Sequence, residues 1–181
     1  MKLNEALDIL LEHNLINEDE IKIREATYDE YMKAFKAVAK NEIDAFYKNA
    51  PENKRRMLEA QIVASGRIIW NMLLHKYTVT GEEILATLPN ADGSTYISMA
   101  YVPPHARGNW SSIKALKQCI ADSPKGVSLH TNRNNKRVIK LVQYFGFKQY
   151  PSTHPNELYF ANKPGIGGHE WVTNDQAPAT D

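Results

Sequence analysis

The sequence is poor in the residues that build staples, anchors and metal cages. Of its 181 residues only Cys119 is a cysteine, which excludes an internal disulfide framework and a multi-cysteine zinc site. A lone thiol reads as a buried, reduced group in an intracellular protein. No apolar run approaches the roughly 20 residues that cross a bilayer. The opening MKLNEALDILLEHN carries acids and an amphipathic rhythm in place of a signal-peptide core, so a soluble, cytoplasmic protein is expected. Excess charge is also missing. Twenty-two Lys and Arg against 21 Asp and Glu leave a net charge of +1, which argues against global attraction to nucleic acid or membrane and leaves only local patches. The six histidines, at 13, 75, 105, 130, 154 and 169, form no H-x-x-x-H pair, and no metal site is expected. There is no internal repeat.

What is present suits one globular domain with extra pieces at its ends. Hydrophobic residues make up 43% and charged residues 24%, close to ordinary folded proteins. Leu3, Leu7, Leu10 and Leu11 predict an amphipathic helix over 3–13, an extension covering residues 1–20. The domain itself is expected over 21–163. It begins with a strand from Ile21 to Arg24, a helix started by Thr27 or Asp29, a second short helix to Lys48 and a longer one from Pro51 to about Leu74, weakened by Gly66. KYTVT, ILATL and STYISMAYV then read as three strands joined by hairpins. A helix from Ser111 to Ala121, the strand GVSLHT, the helix NNKRVIKLVQYF and the closing strands GFKQY and ELYFA follow. Residues 164–181, rich in Gly, Pro and Asp, predict a mobile tail. The order implies an α/β (α+β) layered domain, a mixed and mostly antiparallel sheet flanked by helices.

One stretch suggests chemistry. In YVPPHARGNWSSIKAL, residues 101–116, a strand runs out into a loop and then into a helix. Successive backbone N–H groups there, with the positive end of the helix dipole behind them, suit a pyrophosphate. Val102, Pro104, Arg107 and Gly108 spell V-x-P-x-x-R-G. Downstream, Asn135, Val138 and Leu141 precede Gly146-Phe147.

With the element order, these motifs make residues 21–161 resemble the GCN5-related N-acetyltransferases, which move an acetyl group from acetyl-coenzyme A to an amine. The resemblance implies an acyl-CoA N-acyltransferase-like fold, acetyl-coenzyme A as cosubstrate and an amine acceptor, small molecule or protein. It places the cosubstrate on the backbone at Tyr101 and Val102, on the loop Arg107, Gly108, Asn109, Trp110, Ser111 and Ser112, and on Asn135 for the pantetheine arm. Trp110 stands where the family has a glycine. Either its indole swings outward, with Ser111 and Ser112 adding hydroxyl donors, or it fills the phosphate site. A plain capped helix start remains the other reading of this loop.

The family's proton-donating tyrosine falls on Val142. Tyr144 is the nearest phenol, yet two residues on it lies about 200° around the helix. A thiol of pKa ~8.5 leaves unassisted near pH 7 at a cost of about 2 kcal/mol, so the change slows catalysis without abolishing it. Backbone N–H groups around Ala100 to Val102 would hold the oxyanion. His130 is the first candidate for the base that deprotonates the amine, with His105 and Glu83 behind it. Arg133, Lys136, Arg137 and Lys140 form a basic stripe at helical spacing, read as a solvated face, a partner for the coenzyme's phosphates, or a protein dock. Residues 1–15 offer a second such dock, whereas the balanced charge argues against nucleic acid and no membrane contact is expected. The rival reading keeps the fold as a catalytically degenerate scaffold. Some internal virion proteins of tailed phages resemble that, and the protein would then be virion-associated.

Overall fold

The computed structural model describes residues 22–107 and 111–167. The helix expected over 3–13, the loop residues Gly108, Asn109 and Trp110, and the tail beyond residue 167 lie outside the described residues. In chain order the first half holds β1 (Arg24–Glu25), α1 (Tyr28–Phe46), α2 (Glu52–Trp70), β2 (His75–Thr78), β3 (Ile84–Pro89) and β4 (Thr95–Tyr101). A 3-10 turn (Pro104–Ala106) leads to α3 (Ser111–Ala121), β5 (Val127–Asn132), α4 (Lys136–Tyr144), β6 (Lys148–Tyr150) and β7 (Glu157–Ala161). The seven strands form one sheet in the order β1-β2-β3-β4-β5-β7-β6. Every neighbouring pair is antiparallel except β4 and β5, which run parallel.

Continuous apolar runs mark strands covered on both faces, and Ile84, Leu85 and Ala86 are such a run, each buried. Leu85 faces one layer together with Ile97, Leu129 and Phe160, packed on Ala115, Leu116 and Cys119 of α3 and Val142 of α4. Ile84 and Ala86 face the opposite layer with Met99, packed on Tyr31, Met32 and Ala34 of α1 and on Val63 and Trp70 of α2. The helices thus lie two on each side of the sheet. Burial pushes the Cys119 thiol up to about 12, so the thiolate that redox or nucleophilic chemistry requires is absent at neutral pH.

Two expectations of the sequence need correction. The first strand is only Arg24–Glu25, and the two short helices read between Thr27 and Lys48 are one helix, α1, of 19 residues. Its start is a capping box. The Thr27 hydroxyl accepts from the Glu30 N–H at 3.3 Å, and the Glu30 carboxylate accepts from the Thr27 N–H at 2.9 Å. Arg24 adds two bonds to the same carboxylate, at 2.8 and 2.6 Å. Those bonds, with the Arg24 bond leading, lower the Glu30 pKa to about 2. A carboxyl lowered on folding stabilises the protein above its unfolded pKa of ~4.3, and that contribution is lost as pH falls toward 2. Glu30→Ala should cost about 0.5–2 kcal/mol at neutral pH and much less near pH 2, as urea titrations at the two pH values would show.

Gly66, the expected weak point of α2, is a contact between helices. A Cβ there would stand 2.5 Å from the Phe35 ring of α1, so glycine lets the two axes close up. The first residues of the expected tail also pack on the domain. Ile166 is buried with Tyr150, Tyr159 and Ala161, the Tyr159 hydroxyl donates to the Ile166 carbonyl at 2.8 Å, and the Gly167 N–H donates to Asp92 at 3.0 Å.

Candidate active site

The site begins as a fault in the sheet. Ala86 pairs with Met99 and Thr87 with Ile97, which leaves Ser98 without a partner as a β-bulge. A bulge bends its strand and sharpens the twist. Beyond it β4 turns away from β5, and their pairing ends at Ile97↔Leu129. Two parallel strands that separate in mid-sheet leave the β5-facing main chain of β4 from Ser98 to Tyr101 without a strand partner. Polar backbone groups in such a place need a ligand or water.

A cavity of about 650 Å³ occupies this gap, within the size range of ligand sites. It runs through the sheet from one helical layer to the other. On the α3–α4 side it is lined by Arg107, Ser112, Asn135 and Arg137, and on the α1 side by Val38, Glu42, Ala45 and Phe46. Leu85, Ile97, Ala100 and Leu129 make its apolar waist. Both guanidinium-bearing residues are exposed, and neither Arg107 nor Arg137 makes an ion pair among the described residues. The Ser111 hydroxyl, at the N-terminus of α3, is buried with no hydrogen-bond partner among the described residues. Ser111 itself is absent from the lining, but Arg107, Arg137 and Ser112 at the start of α3 are on the wall, and uncommitted cations beside a helix start fit an anionic group such as a diphosphate.

The fold gathers part of the expected site and scatters the rest. Tyr101, Val102, Arg107, Ser112 and Asn135 all line the cavity. Asn135 also caps α4, its side-chain oxygen accepting from the Val138 N–H at 3.3 Å. Of the basic stripe only Arg137 reaches the lining, while Arg133, Lys136 and Lys140 are exposed. Val142 lines the cavity and is buried, whereas Tyr144 is absent from the lining and stacks edge-on against Phe145 at 5.2 Å. Tyr144 therefore stands apart from the place where a thiolate proton donor is needed.

His130 is absent from the cavity lining. Leu129 points into the waist, so its neighbour points to the opposite side of the sheet. There the His130 Nδ1 lies 2.9 Å from the Tyr96 hydroxyl, and its ring lies against His154 at 4.9 Å and Tyr159 at 5.0 Å. His105 is also outside the cavity, bonded to Glu82 at 2.9 Å on the surface. Glu83 does line the cavity, but its buried carboxylate accepts from the N–H groups of Val79 at 2.5 Å and Thr80 at 2.9 Å and from the Thr80 hydroxyl. Burial alone would raise its pKa, and those hydrogen bonds outweigh burial and hold it below the usual carboxylate range. A carboxylate so stabilised is a poor proton acceptor.

The residue that sequence reading missed is Glu42. Phe35, Val38, Glu42 and Ala45 fall at 0, 3, 7 and 10 along α1, so Glu42 interrupts an apolar stripe. Reading the helix as two pieces hid that rhythm. Glu42 is solvent-accessible at the cavity rim, and crowding by the surrounding protein, followed by the negative charge of Glu157, raises its pKa above the usual value.

No family model matches the chain, and no curated protein sequence matches it. Its shape does match solved structures. The PaiA N-acetyltransferase of Thermoplasma acidophilum, in complex with coenzyme A, superposes with a TM-score of 0.58 at 14% identity, over 78% of this chain and 98% of that one. An acetyltransferase of Thermus thermophilus gives 0.56 at 11% identity, over 77% and 96%. An acetyltransferase of Streptococcus agalactiae gives 0.53 at 16%, over 77% and 96%. The chain has the acyl-CoA N-acyltransferase fold.

Proposed function

We propose that the protein is an N-acyltransferase that uses acetyl-coenzyme A and transfers the acetyl group directly to an amine. One observation carries this reading: the cavity that passes through the parting of β4 and β5. Its α3–α4 end offers Arg107, Arg137 and the Ser112 hydroxyl to a diphosphate, and its waist offers apolar walls to a thioester arm. The unpartnered N–H groups of β4 near Ala100 are placed to stabilise an oxyanion on the carbonyl. The PaiA structure, which holds coenzyme A in this fold, supports the same choice of donor.

A titration calorimeter tests it directly. Acetyl-coenzyme A should bind with micromolar affinity, and Arg107→Gln with Arg137→Gln should weaken that affinity by about 10-fold or more, as loss of charge-assisted bonds worth roughly 1.5–3 kcal/mol requires. No heat at high micromolar ligand would count decisively against the proposal. A second reading, the fold retained as a scaffold without chemistry, draws on Val142, an apolar group on the cavity wall at the usual position of the proton donor. Coenzyme binding without thiol release, whatever amine is added, would favour that reading.

A further inference from the structure

The cavity has two ends of opposite charge. Arg107 and Arg137 mark the α3–α4 end, while Glu42 stands at the α1 end. Glu157 of β7 is not part of the lining, and its negative charge, after crowding by the surrounding protein, adds to the rise in the Glu42 pKa. The titratable or charged groups on the wall are therefore Glu42, Glu83, Tyr101, Arg107 and Arg137. Glu83 is committed to the β2–β3 turn. Among the described residues Glu42 makes no ion pair, although the neighbouring Asp44 pairs with Arg55 of α2. A carboxylate without a cationic partner, beside Val38, Ala45 and the 67% exposed Phe46, is a receptor for an ammonium carried on an apolar stem.

We propose that Glu42 is the catalytic base for the acceptor, and that it selects a cationic primary amine bearing no carboxylate beside the nitrogen. This rests on the acyl-transfer reading above. The donor, an anion, enters at the arginine end, and the acceptor, a cation, enters past Phe46. Glu42 takes one proton from the ammonium. The freed lone pair forms a C–N bond to the thioester carbonyl carbon, the C–S bond breaks, and the second nitrogen proton goes to the departing thiolate. Glu42 then releases its proton to solvent, so the products are amide, free thiol and one proton. Glu157 raises the pKa of Glu42 and so improves its match to neutral pH.

The test uses the whole chain, acetyl-coenzyme A, and the matched pair 2-phenylethylamine and L-phenylalanine, which differ by one carboxylate. Thiol release should favour the amine over the amino acid by at least ~10-fold in kcat/KM, because a like charge at this end is repelled. Glu42→Gln should bind acetyl-coenzyme A as the unaltered protein does and lose roughly 10²–10⁴-fold in kcat/KM. Glu157→Gln should move the acid limb of the kcat/KM profile to lower pH, since removing a neighbouring negative charge lowers the Glu42 pKa. Undiminished turnover by Glu42→Gln, no preference for the amine, or coenzyme binding with no turnover of the amine would each overturn the assignment. Failure of the parent reading looks different: acetyl-coenzyme A then gives no heat with the unaltered protein, before any amine is added.

Discussion

Ala100→Trp should abolish coenzyme binding while leaving the fold intact. Ala100 lies on β4 just past the bulge, opposite Leu85, and its small side chain forms part of the cavity waist. The position is exposed, so an indole there displaces no core neighbour. It occupies the opening between the parted strands, where a thioester arm has to pass. The expected loss is at least ~100-fold in affinity for acetyl-coenzyme A, equal to about 2.7 kcal/mol, with a melting temperature within a few degrees of the unaltered protein. Calorimetry and thermal unfolding on the same sample separate the two effects. Unchanged affinity would mean that the ligand does not use the gap, and the proposed function would lose its basis.

The second large effect concerns Glu83 and should be structural. Its carboxylate accepts from the N–H groups of Val79 and Thr80 and from the hydroxyls of Thr78 and Thr80, which ties together the turn between β2 and β3. Removing a buried charge from such a network leaves several donors unsatisfied and typically costs roughly 3–5 kcal/mol. For a chain of this length Glu83→Ala should therefore lower the melting temperature by about 6–20 °C. The sign with pH follows from its lowered pKa. The stabilisation is present above the unfolded value of ~4.3 and is lost as pH falls through the lower folded value. Guanidinium titrations at pH 7 and below pH 4 check this, with the difference between the unaltered protein and Glu83→Ala shrinking in acid. A variant with normal stability and lost turnover would return Glu83 to the role of base.

The two parts of the site were legible to different degrees. The resemblance pointed to Val102, Arg107, Ser112 and Asn135, and all four line the cavity; they lie at a strand exit, a helix start and a helix cap, which have local signatures. The α1 end could not be read in this way. Glu42 looks like a break in a helical pattern, and the same residue becomes a cavity wall once α1 lies across the sheet. An apolar stripe breaks where a cavity replaces the core, so the irregularity that misled the helix reading belongs to the site itself.

His130 shows a different limit. Its strand was placed correctly, but which residues of VSLHTN face the waist depends on the register Ile97↔Leu129. A one-residue shift inverts every side chain of a strand. Because Val127, Ser128 and Leu129 are all buried, the strand has no polar–apolar alternation from which that register could be inferred.

The residue pattern alone was enough for the kinds of element and most of their order, since Gly, Pro and capping residues act over a few neighbours. Helix α3 and strand β7 have the limits that Ser111–Ala121 and ELYFA suggested. The lone cysteine likewise excludes an internal disulfide framework without coordinates, and the near-zero net charge argues against global attraction to a polyelectrolyte. Three features emerge solely from the assembled sheet: where β4 leaves β5, which face of each strand looks into the gap, and that Glu42 stands across the cavity from Arg107 and Arg137. They depend on pairings between residues distant in the chain. No local preference encodes them, because each is fixed by the sheet as a whole.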